Sequence, residues 1–414
     1  MKTIIQNQQK ERDLLLSRTY LKRRNQYDTE VLLRSRQIKL ITGPRRTGKS
    51  TEALLMLQGH NFAYLNFDDG KLLQAWDDDL VLEMLSLVYP DYEYLLLDEV
   101  QNLDGWDLWV SKLYRQGINL VITGSNAKLL SSEMATALTG RYIQVEMFPF
   151  SLEEVFDWNN LTLQAIEAGT EAQRVSLLDD YLHNGGYPET VESRRITQSY
   201  LSTLFDSIVW KDVAKRHNIR NTTDLNNLAL YLLSNFCNPL SANNLASELG
   251  MSSVATAKKF MEYLHEPYLF YYLPRYDKKM KLMVKAPRKV YVVDNGFVAA
   301  KAFSLSENLG RLLENQVFVE LLRRGHDTEK SLFYYRSRND KECDFVVRNG
   351  TQVVQLIQVC YDLNSLKTEK REVDSLVECA EELNCSNLVI VTMNESRLIQ
   401  KGNYQIRVVP IAEL

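Results

Sequence analysis

The chain reads Gly43-Pro44-Arg45-Arg46-Thr47-Gly48-Lys49-Ser50 directly after a short strand-like segment. This octapeptide has the form G-x-x-x-x-G-K-[ST] of a phosphate-binding loop. Its glycines allow backbone N–H groups to turn inward around a phosphate, and a helix that begins behind the loop presents its positive end to the same charge. Residues 39–42 predict a strand before the loop, and residues 51–58 predict a helix after it. This order favours a nucleotide site over a glycine-rich turn.

The residue types of the loop predict ATP and Mg²⁺ as its ligands. Lys49 would reach the β- and γ-phosphates, and the Ser50 hydroxyl would ligate Mg²⁺. Arg45 and Arg46 fill the variable positions of the loop. They either sense the phosphate or a partner, or they are solvated loop arginines, and the sequence supports both alternatives equally. The expected nucleotide-binding residues are Gly43, Pro44, Arg45, Arg46, Thr47, Gly48, Lys49, Ser50 and Thr51.

A strand that ends in two acids follows further along the chain. Residues 94–97 read Tyr-Leu-Leu-Leu, and Asp98 and Glu99 come next. A buried parallel strand delivers the residues at its end to the carboxyl edge of the sheet, where ligands of open α/β sheets bind. We expect Asp98 to hold Mg²⁺ through water and Glu99 to polarise the attacking water. Alone, such an acid pair is weak evidence for a nucleotide site, because two acids can also lie on the surface after a core strand. Together with the phosphate loop, it is strong evidence for that site.

A third candidate strand, residues 118–123, ends in Gly124-Ser125-Asn126. If this strand lies between the other two, a polar side chain at its tip can touch the γ-phosphate or the attacking water. We favour Asn126 for this role, with Ser125 as its rival. The alternative is that the residue only caps a helix predicted at 127–132.

Five motifs occur in an order that resembles a family of prokaryotic AAA+-type ATPases over essentially the full chain. They are Gly43 to Lys49, Leu97-Asp98-Glu99-Val100-Gln101, Thr123-Gly124-Ser125-Asn126, Thr139-Gly140-Arg141 and Phe148-Pro149-Phe150-Ser151. In that family the C-terminal region has no known function. The resemblance implies that Arg141 is an arginine finger, which would stabilise charge on the transferring phosphoryl group of a neighbouring subunit. It thereby implies a homo-oligomer formed through Arg141, whereas a structural salt bridge of Arg141 is the alternative.

The alternation of short apolar strands with helical segments over residues 37–150 is typical of a parallel α/β sheet. With the resemblance, the predicted fold class is α/β: an AAA+-like P-loop domain with a helical lid, a winged-helix-like module and a C-terminal α/β nuclease-like domain. The predicted boundaries are 1–36 for an N-terminal helical segment, 37–150 for the ATPase core, 151–222 for the lid, 223–300 for the winged-helix-like module and 301–414 for the nuclease-like domain.

The predicted module at 223–300 has helix-turn-helix spacing. Residues 241–249 and 253–264 read as helices around a turn at Gly250, and two strands of a wing would follow. Such a wing can neutralise DNA phosphates without reading sequence. A solvated or protein-facing loop is the alternative. The cationic side chains between the two strands are Arg275, Lys278, Lys279, Lys281, Lys285 and Arg288.

The C-terminal region resembles the core of restriction-endonuclease-like domains, in which an Asp and a downstream acid-x-Lys hold a divalent ion and activate water. The acid that matches is Asp344, but the downstream trio reads Gln358-Val359-Cys360. A thiol in place of the lysine can neither position the water nor stabilise developing charge. Lys367 or Lys370 on the following helix could compensate. We therefore expect a degenerate domain kept for DNA or protein contact rather than an active nuclease, with a different fold as the alternative.

Composition limits the remaining function classes. The net charge of −4 gives no global attraction to nucleic acid or anionic membrane. The five cysteines show no C-x-x-C spacing, which argues against a zinc site or a disulfide framework. The first residues lack the apolar core of a signal peptide, and no apolar run approaches the roughly 20 residues of a membrane span. We expect a cytoplasmic protein with no membrane partner.

Three functions are consistent with the sequence. The first is an ATP-driven switch or motor acting on DNA. The second is a signalling or scaffold ATPase whose C-terminal half binds protein. The third is an ATP-dependent nuclease, which the thiol of Cys360 disfavours.

Overall fold

The computed structural model describes residues 1–24, 27–126, 138, 140–161, 171–303 and 308–414. These residues form two compact units. The first comprises Met1–Phe148 together with Glu266–Tyr268, and the second comprises Pro149–His265 together with Leu269–Leu414. The finer division into five segments stays a prediction.

The first unit is built on a sheet of five strands. Its strands are β1 (Ile38–Thr42), β2 (Phe62–Asn66), β3 (Tyr94–Asp98), β4 (Asn119–Gly124) and β5 (Tyr142–Glu146). All pairings are parallel, and the spatial order is β2-β3-β4-β1-β5. The described helices are α1 (Lys2–Leu16), α2 (Thr29–Arg34), α3 (Lys49–Met56), α4 (Gly70–Gln74), α5 (Asp78–Val88) and α6 (Trp106–Arg115). The predicted parallel P-loop fold is confirmed, and β4 lies between β1 and β3.

Strand β3 is apolar between its two ends because both of its faces are buried. Leu95 and Leu97 pack into one hydrophobic cluster, whereas Leu96 packs into another on the opposite face. All three leucines are fully buried. Side chains alternate between the two faces of a strand, so a strand buried on both sides favours apolar residues at every inner position. The acid of this strand, Asp98, therefore lies at its end.

The N-terminal segment departs from the prediction of one helical stretch over residues 1–36. Helix α1 ends at Leu16, and α2 begins at Thr29. Asp28 has an extended backbone and accepts hydrogen bonds from the N–H groups of Glu30 and Val31, so it caps a new helix instead of continuing the first. Between these two helices, the side chain of Arg23 contacts the backbone of the phosphate loop at Thr47.

The second unit begins with helices and contains two sheets. Its helices are α7 (Leu152–Trp158), α8 (Glu171–Asn184), α9 (Pro188–Glu192), α10 (Thr197–Ser207), α11 (Thr222–Ser234), α12 (Ala242–Glu248), α13 (Val254–His265), α14 (Met280–Lys285), α15 (Asn295–Lys301), α16 (Leu309–Arg323) and α17 (Leu366–Leu383), with a π-helical segment at Ile208–Lys215. The strands are β6 (Pro239–Leu240), β7 (Phe270–Leu273), β8 (Arg288–Val292), β9 (Leu332–Arg336), β10 (Glu342–Asn349), β11 (Gln352–Val359), β12 (Leu388–Thr392), β13 (Arg397–Lys401) and β14 (Tyr404–Pro410).

Helices α12 and α13 and the antiparallel hairpin β7–β8 lie where the helix-turn-helix and wing strands are predicted. Strand β6 completes a small sheet of order β6-β8-β7. The segment between β7 and β8 contains the short helix α14, although its lysines indicated a loop. Three of its apolar side chains, Met280, Leu282 and Val284, are exposed. The winged-helix assignment itself stays a prediction.

The C-terminal sheet has six strands in the order β13-β14-β12-β11-β10-β9. Strand β10 is antiparallel to both of its neighbours, β9 and β11, whereas β11, β12 and β14 run parallel. This mixed α/β sheet agrees with the predicted class, but its nuclease-like identity stays a prediction. In the part of the chain that the structure describes, no helix combines the length and the apolar character that crossing a bilayer requires.

Candidate active site

The phosphate loop joins β1 to α3, and its two glycines have different tasks. Gly43 has a φ of 141°, and a Cβ atom there would lie 2.1 Å from the carbonyl oxygen of Met147. Any side chain at this position would therefore collide with the backbone that follows β5. Gly48 has a φ of 86° and stands at the N-cap of α3, where a left-handed backbone turns the chain into the helix. Backbone geometry thus requires a glycine at both ends of the loop.

Lys49 is the first residue of α3, and its side chain is only 3% exposed. Its Nζ donates a hydrogen bond of 2.7 Å to the carbonyl oxygen of Pro44 and lies 4.0 Å from Oε1 of Glu99. The Thr47 hydroxyl donates to the same Pro44 carbonyl at 2.9 Å. A buried ammonium at the positive end of a helix is a site for an anion. This is where the sequence predicts the phosphates.

Asp98 ends β3 and accepts hydrogen bonds from three hydroxyl groups. Ser50 donates to its Oδ1 at 2.7 Å, Thr123 donates to the same oxygen, and Tyr64 donates to Oδ2 at 3.2 Å. Burial raises the pKa of the Asp98 carboxyl, whereas the hydrogen bonds from Thr123 and Ser50 lower it. A buried carboxylate beside a serine hydroxyl supplies the hard oxygen ligands that Mg²⁺ prefers. Ser50 and Asp98 therefore fit the predicted role in holding this ion.

Glu99 has a left-handed backbone with a φ of 52°, which is uncommon for a residue other than glycine. Its N–H donates to the Thr123 hydroxyl at 2.9 Å, and this hydrogen bond helps to hold the unusual conformation. On the side chain, Oε2 accepts hydrogen bonds from the Ser125 hydroxyl at 3.1 Å and from the Gln101 amide. The carboxylate is thus held at the carboxyl edge of the sheet, facing Lys49.

The two candidates at the tip of β4, Ser125 and Asn126, are both buried. The Ser125 hydroxyl donates a hydrogen bond to Glu99. The helix predicted at 127–132 lies outside the described residues. Which of the two side chains contacts a γ-phosphate stays a prediction, with Asn126 as the residue favoured by sequence.

Three further residues of the predicted loop set differ in their exposure. Arg45 and Thr51 are half-buried, and Arg46 is exposed with a left-handed φ of 69°. No pattern in the sequence indicated Arg23, whose guanidinium donates to the carbonyl oxygens of Thr47 at 3.3 Å and of Phe148 at 2.7 Å. Only its position in a basic N-terminal segment could have suggested such a contact.

Arg141 lies at the other end of the sheet. The N–H of Ile38, the first residue of β1, donates to the Arg141 carbonyl oxygen at 2.8 Å, so Arg141 is level with the amino end of β1. The five residues of β1 separate the two edges by roughly 15 Å. The guanidinium donates to the Ser111 hydroxyl at 3.2 Å and lies 5.6 Å from the ring of Tyr114. Arg141 therefore does not contribute to the site of its own chain.

The acid predicted for the nuclease-like domain, Asp344, is bound to a lysine from an unexpected strand. Nζ of Lys289, on β8, lies 2.9 Å from Asp344 Oδ1 and 2.8 Å from both Glu314 Oε1 and Glu342 Oε1. Burial lowers the pKa of Lys289, but these carboxylates outweigh burial and raise it well above its usual value. The lysine is thus charged, although it is only 1% exposed. We call these four residues the Lys289 network.

Lys367 and Lys370, which could compensate for Cys360, are both exposed, and the lysine that contacts Asp344 is Lys289. Gln358 donates its amide to Glu372 at 2.9 Å. Burial raises the pKa of the Cys360 thiol to about 12, so it is neutral at physiological pH. Within the described ranges, no group of three or more His, Cys, Asp or Glu side chains is arranged to hold a metal ion.

The cations predicted for the wing are not equivalent. Arg275 is half-buried and donates to the carbonyl oxygen of Arg336 at 3.0 Å, which ties it to the edge of the six-stranded sheet. This removes it from the surface that the sequence predicted. The exposed members of the set are Lys278, Lys279, Lys281 and Lys285, together with Arg288 at the start of β8.

Three family models match consecutive parts of the chain. Residues 35–156 match an AAA domain, residues 175–308 match a domain of unknown function (DUF8612), and residues 309–414 match a further domain of unknown function (DUF4143). The first match covers the whole parallel sheet and the phosphate loop.

Among curated proteins, an uncharacterized protein of Methanocaldococcus jannaschii is 33% identical over 381 residues, which is 89% of this chain and 85% of that protein. An uncharacterized protein of Haemophilus influenzae is 33% identical over 344 residues, which is 79% of this chain and 83% of that protein.

Among solved structures, the Walker-type ATPase of Pyrococcus abyssi is 16% identical and covers 66% of this chain and 92% of its own, with a TM-score of 0.43. A likeness at this TM-score carries no conclusion about function. The chain belongs to the same protein family as the uncharacterized proteins of M. jannaschii and H. influenzae, and its residues 35–156 form an AAA-type P-loop ATPase domain.

Proposed function

We propose that this chain binds ATP with Mg²⁺ at the phosphate loop and hydrolyses it. The observation that carries the proposal is the convergence of four side chains at one edge of the sheet. The Ser50 hydroxyl contacts the Asp98 carboxylate at 2.7 Å, and the buried Lys49 ammonium lies 4.0 Å from the Glu99 carboxylate. A cation, a metal-ligand pair and a base are the parts that phosphoryl transfer to water requires.

Each of these residues would have a distinct role. Lys49 neutralises the β- and γ-phosphates, and the backbone N–H groups of the loop bind their oxygens. Ser50 and Asp98 hold Mg²⁺, which supplies further neutralisation of the phosphate charge. Glu99 accepts a hydrogen bond from the attacking water and orients it, and a polar side chain at the tip of β4, Asn126 or Ser125, contacts the γ-phosphate or the water. Release of phosphate from ATP by the purified protein, measured with and without Mg²⁺, tests this function directly.

Arg141 would serve the site of a neighbouring subunit. It lies at the amino edge of the sheet, roughly 15 Å from the loop of its own chain, so a role in ATP hydrolysis requires a second copy. A guanidinium in this role stabilises charge that develops on the transferring phosphoryl group. The proposal therefore includes a homo-oligomer in which each loop faces Arg141 of the next subunit.

Mixing Arg141→Ala protein with Lys49→Ala protein is expected to restore part of the phosphate release that each lacks alone. The Lys49→Ala subunit donates its intact Arg141 to the intact loop of the other. Mixing Glu99→Gln with Lys49→Ala protein is the matched control, because neither subunit then has a complete site. If the first mixture stays as inactive as the second at concentrations where the protein is oligomeric, Arg141 is not a finger.

We further propose that the exposed lysines of the β7–β8 segment bind DNA. Lys278, Lys279, Lys281 and Lys285 are exposed, and the helices that precede this segment have helix-turn-helix spacing. Four lysines within eight residues form a local patch that the overall net charge of −4 does not reveal. This favours DNA over a protein partner, because Asp277 is the one acid between the wing strands and it is half-buried.

Changing these four lysines to glutamine is expected to weaken binding of duplex DNA and to flatten its salt dependence. The log–log slope should fall by about 0.9 for each phosphate that the protein no longer neutralises. Fluorescence anisotropy over a series of salt concentrations measures both quantities. A control that removes four other exposed lysines, Lys2, Lys10, Lys71 and Lys330, should leave both nearly unchanged. Equal binding by the wing variant and wild type would favour the alternative, a C-terminal half that captures protein.

A further inference from the structure

The turn that follows Glu99 brings a glutamine side chain back onto it. Residues Val100–Asn102 form one turn of 3₁₀ helix, and the Gln101 amide donates to Oε2 of Glu99. The Ser125 hydroxyl donates to the same oxygen at 3.1 Å, and the Gln101 amide lies 3.4 Å from that hydroxyl. Three side chains from two strand ends thus form a closed cluster around one carboxylate oxygen.

This arrangement makes the two oxygens of Glu99 unequal. Oε2 accepts hydrogen bonds from two donors, whereas Oε1 is the oxygen that lies 4.0 Å from Lys49 Nζ. A carboxylate held by donors on one oxygen cannot rotate without breaking both hydrogen bonds, and these bonds are strong because the acceptor is charged. Oε1 is therefore presented, in one orientation, toward the side where the phosphates are expected.

The oxygen of the Gln101 amide adds an independent observation. This atom, Oε1 of Gln101, is buried and accepts no hydrogen bond from the described part of the chain. Exchanging the oxygen and nitrogen of the Gln101 amide would not improve its hydrogen bonding, because the amide oxygen would then face the negatively charged Glu99 carboxylate. A buried acceptor without a donor destabilises the protein, so a hydrogen-bond donor such as water is favoured there. The unsatisfied atom lies on the same side chain that anchors Glu99.

We propose that Gln101 is a positioning residue for Glu99, which fixes the oxygen that receives the hydrogen bond of the attacking water and offers its own amide oxygen as a second acceptor for that water. This inference depends on the proposed ATPase function and extends it to a residue two positions beyond the base. Ser125 acts with Gln101, which assigns this member of the β4 tip to Glu99 rather than to the phosphate.

The test compares Gln101→Ala and Gln101→Glu with wild type in phosphate release and in equilibrium binding of ATP. Gln101→Ala should lower kcat by about 10- to 100-fold, which is less than removal of the base itself causes, and leave the affinity for ATP unchanged.

Gln101→Glu should lower kcat at least as far as Gln101→Ala. A carboxylate in place of the amide removes the donor to Oε2 of Glu99 and places a like charge beside it, so the side chain of Glu99 is no longer held in one orientation. In a Glu99→Gln background, Gln101→Ala should cause no further loss, because no base is left to position. The loss caused by a residue needed only for folding would add to that of Glu99→Gln.

Asn102→Ala is the matched control, because Asn102 lies in the same turn but its amide donates to Asp68 on the surface, at 2.7 Å. It should leave kcat at the wild-type value. Thermal unfolding of each variant verifies that it is folded, and Gln101→Glu keeps the test open if Gln101→Ala does not fold. Wild-type kcat in both Gln101 variants would overturn the inference while the ATPase stands. If wild type itself releases no phosphate, the proposed function fails first.

Discussion

Protein that carries Lys49→Ala is expected to lose ATP binding, with a dissociation constant raised by roughly 100- to 3,000-fold. The ammonium of Lys49 is almost fully buried at the start of α3 and faces the carboxylate of Glu99. Removing it leaves Glu99 and Asp98 as uncompensated negative charge beside the phosphates. Removal of one partner of a desolvated ion pair costs about 3–5 kcal/mol, and each 1.4 kcal/mol is about tenfold in affinity.

Fluorescence titration with a labelled adenine nucleotide in the presence of Mg²⁺ measures this effect. Lys71→Ala, at an exposed lysine of the same unit, controls for the general effect of removing one positive charge. Lys49→Arg keeps the charge but not the compact geometry of an ammonium, so it should bind more weakly than wild type. Wild-type affinity in Lys49→Ala would remove the phosphate loop as the nucleotide site, and with it every role assigned to the residues around it.

The second large effect is expected in Glu99→Gln, which should bind ATP as wild type does but lower kcat by about 10²- to 10⁴-fold. An amide has the shape of the carboxylate, but it cannot accept a proton or polarise water in the same way. Because the side chain lies at the edge of the site rather than among the loop N–H groups, the free energy of nucleotide binding should change little. Phosphate release and nucleotide binding, measured on the same preparation, separate the two effects.

The chain offers a control on the same strand. Glu93 directly precedes the opposite end of β3 and is exposed, so Glu93→Gln removes the same charge far from the site. It should keep full turnover. Undiminished phosphate release by Glu99→Gln would exclude Glu99 as the base, and Gln101 would then have no base to position.

The sequence predicted which residues lie at the carboxyl edge of the five-stranded sheet, because their positions depend on local rules. Glycines at Gly43 and Gly48 are required by a backbone that no other residue adopts easily, and acids after a leucine strand can only emerge at its end. Once these strands are parallel, β4 brings Ser125 to Glu99 without further information. The match to an AAA domain over residues 35–156 agrees with that prediction.

The contacts that sequence reasoning missed join residues far apart in the chain. Lys289 binds Asp344 across 55 positions, and no spacing rule relates a wing strand to a strand of another sheet. The break between α1 and α2 was missed because helical propensity outweighed a single capping residue, Asp28. Gln101 is the exception: it is local and belongs to one of the five motifs, but the motif gives it no role until the turn between Glu99 and Gln101 is seen.

Because of the Lys289 network, the β7–β8 segment tolerates substitutions less well at its base than at its tip. Lys289 stands at the foot of the segment, and substitution there would leave three carboxylates repelling one another in the interior. The side chains of Lys278, Lys281 and Lys285 at the tip contact water, so substitution there costs the fold little. Relatives can therefore vary the tip to suit different partners while the anchor beneath it remains constant.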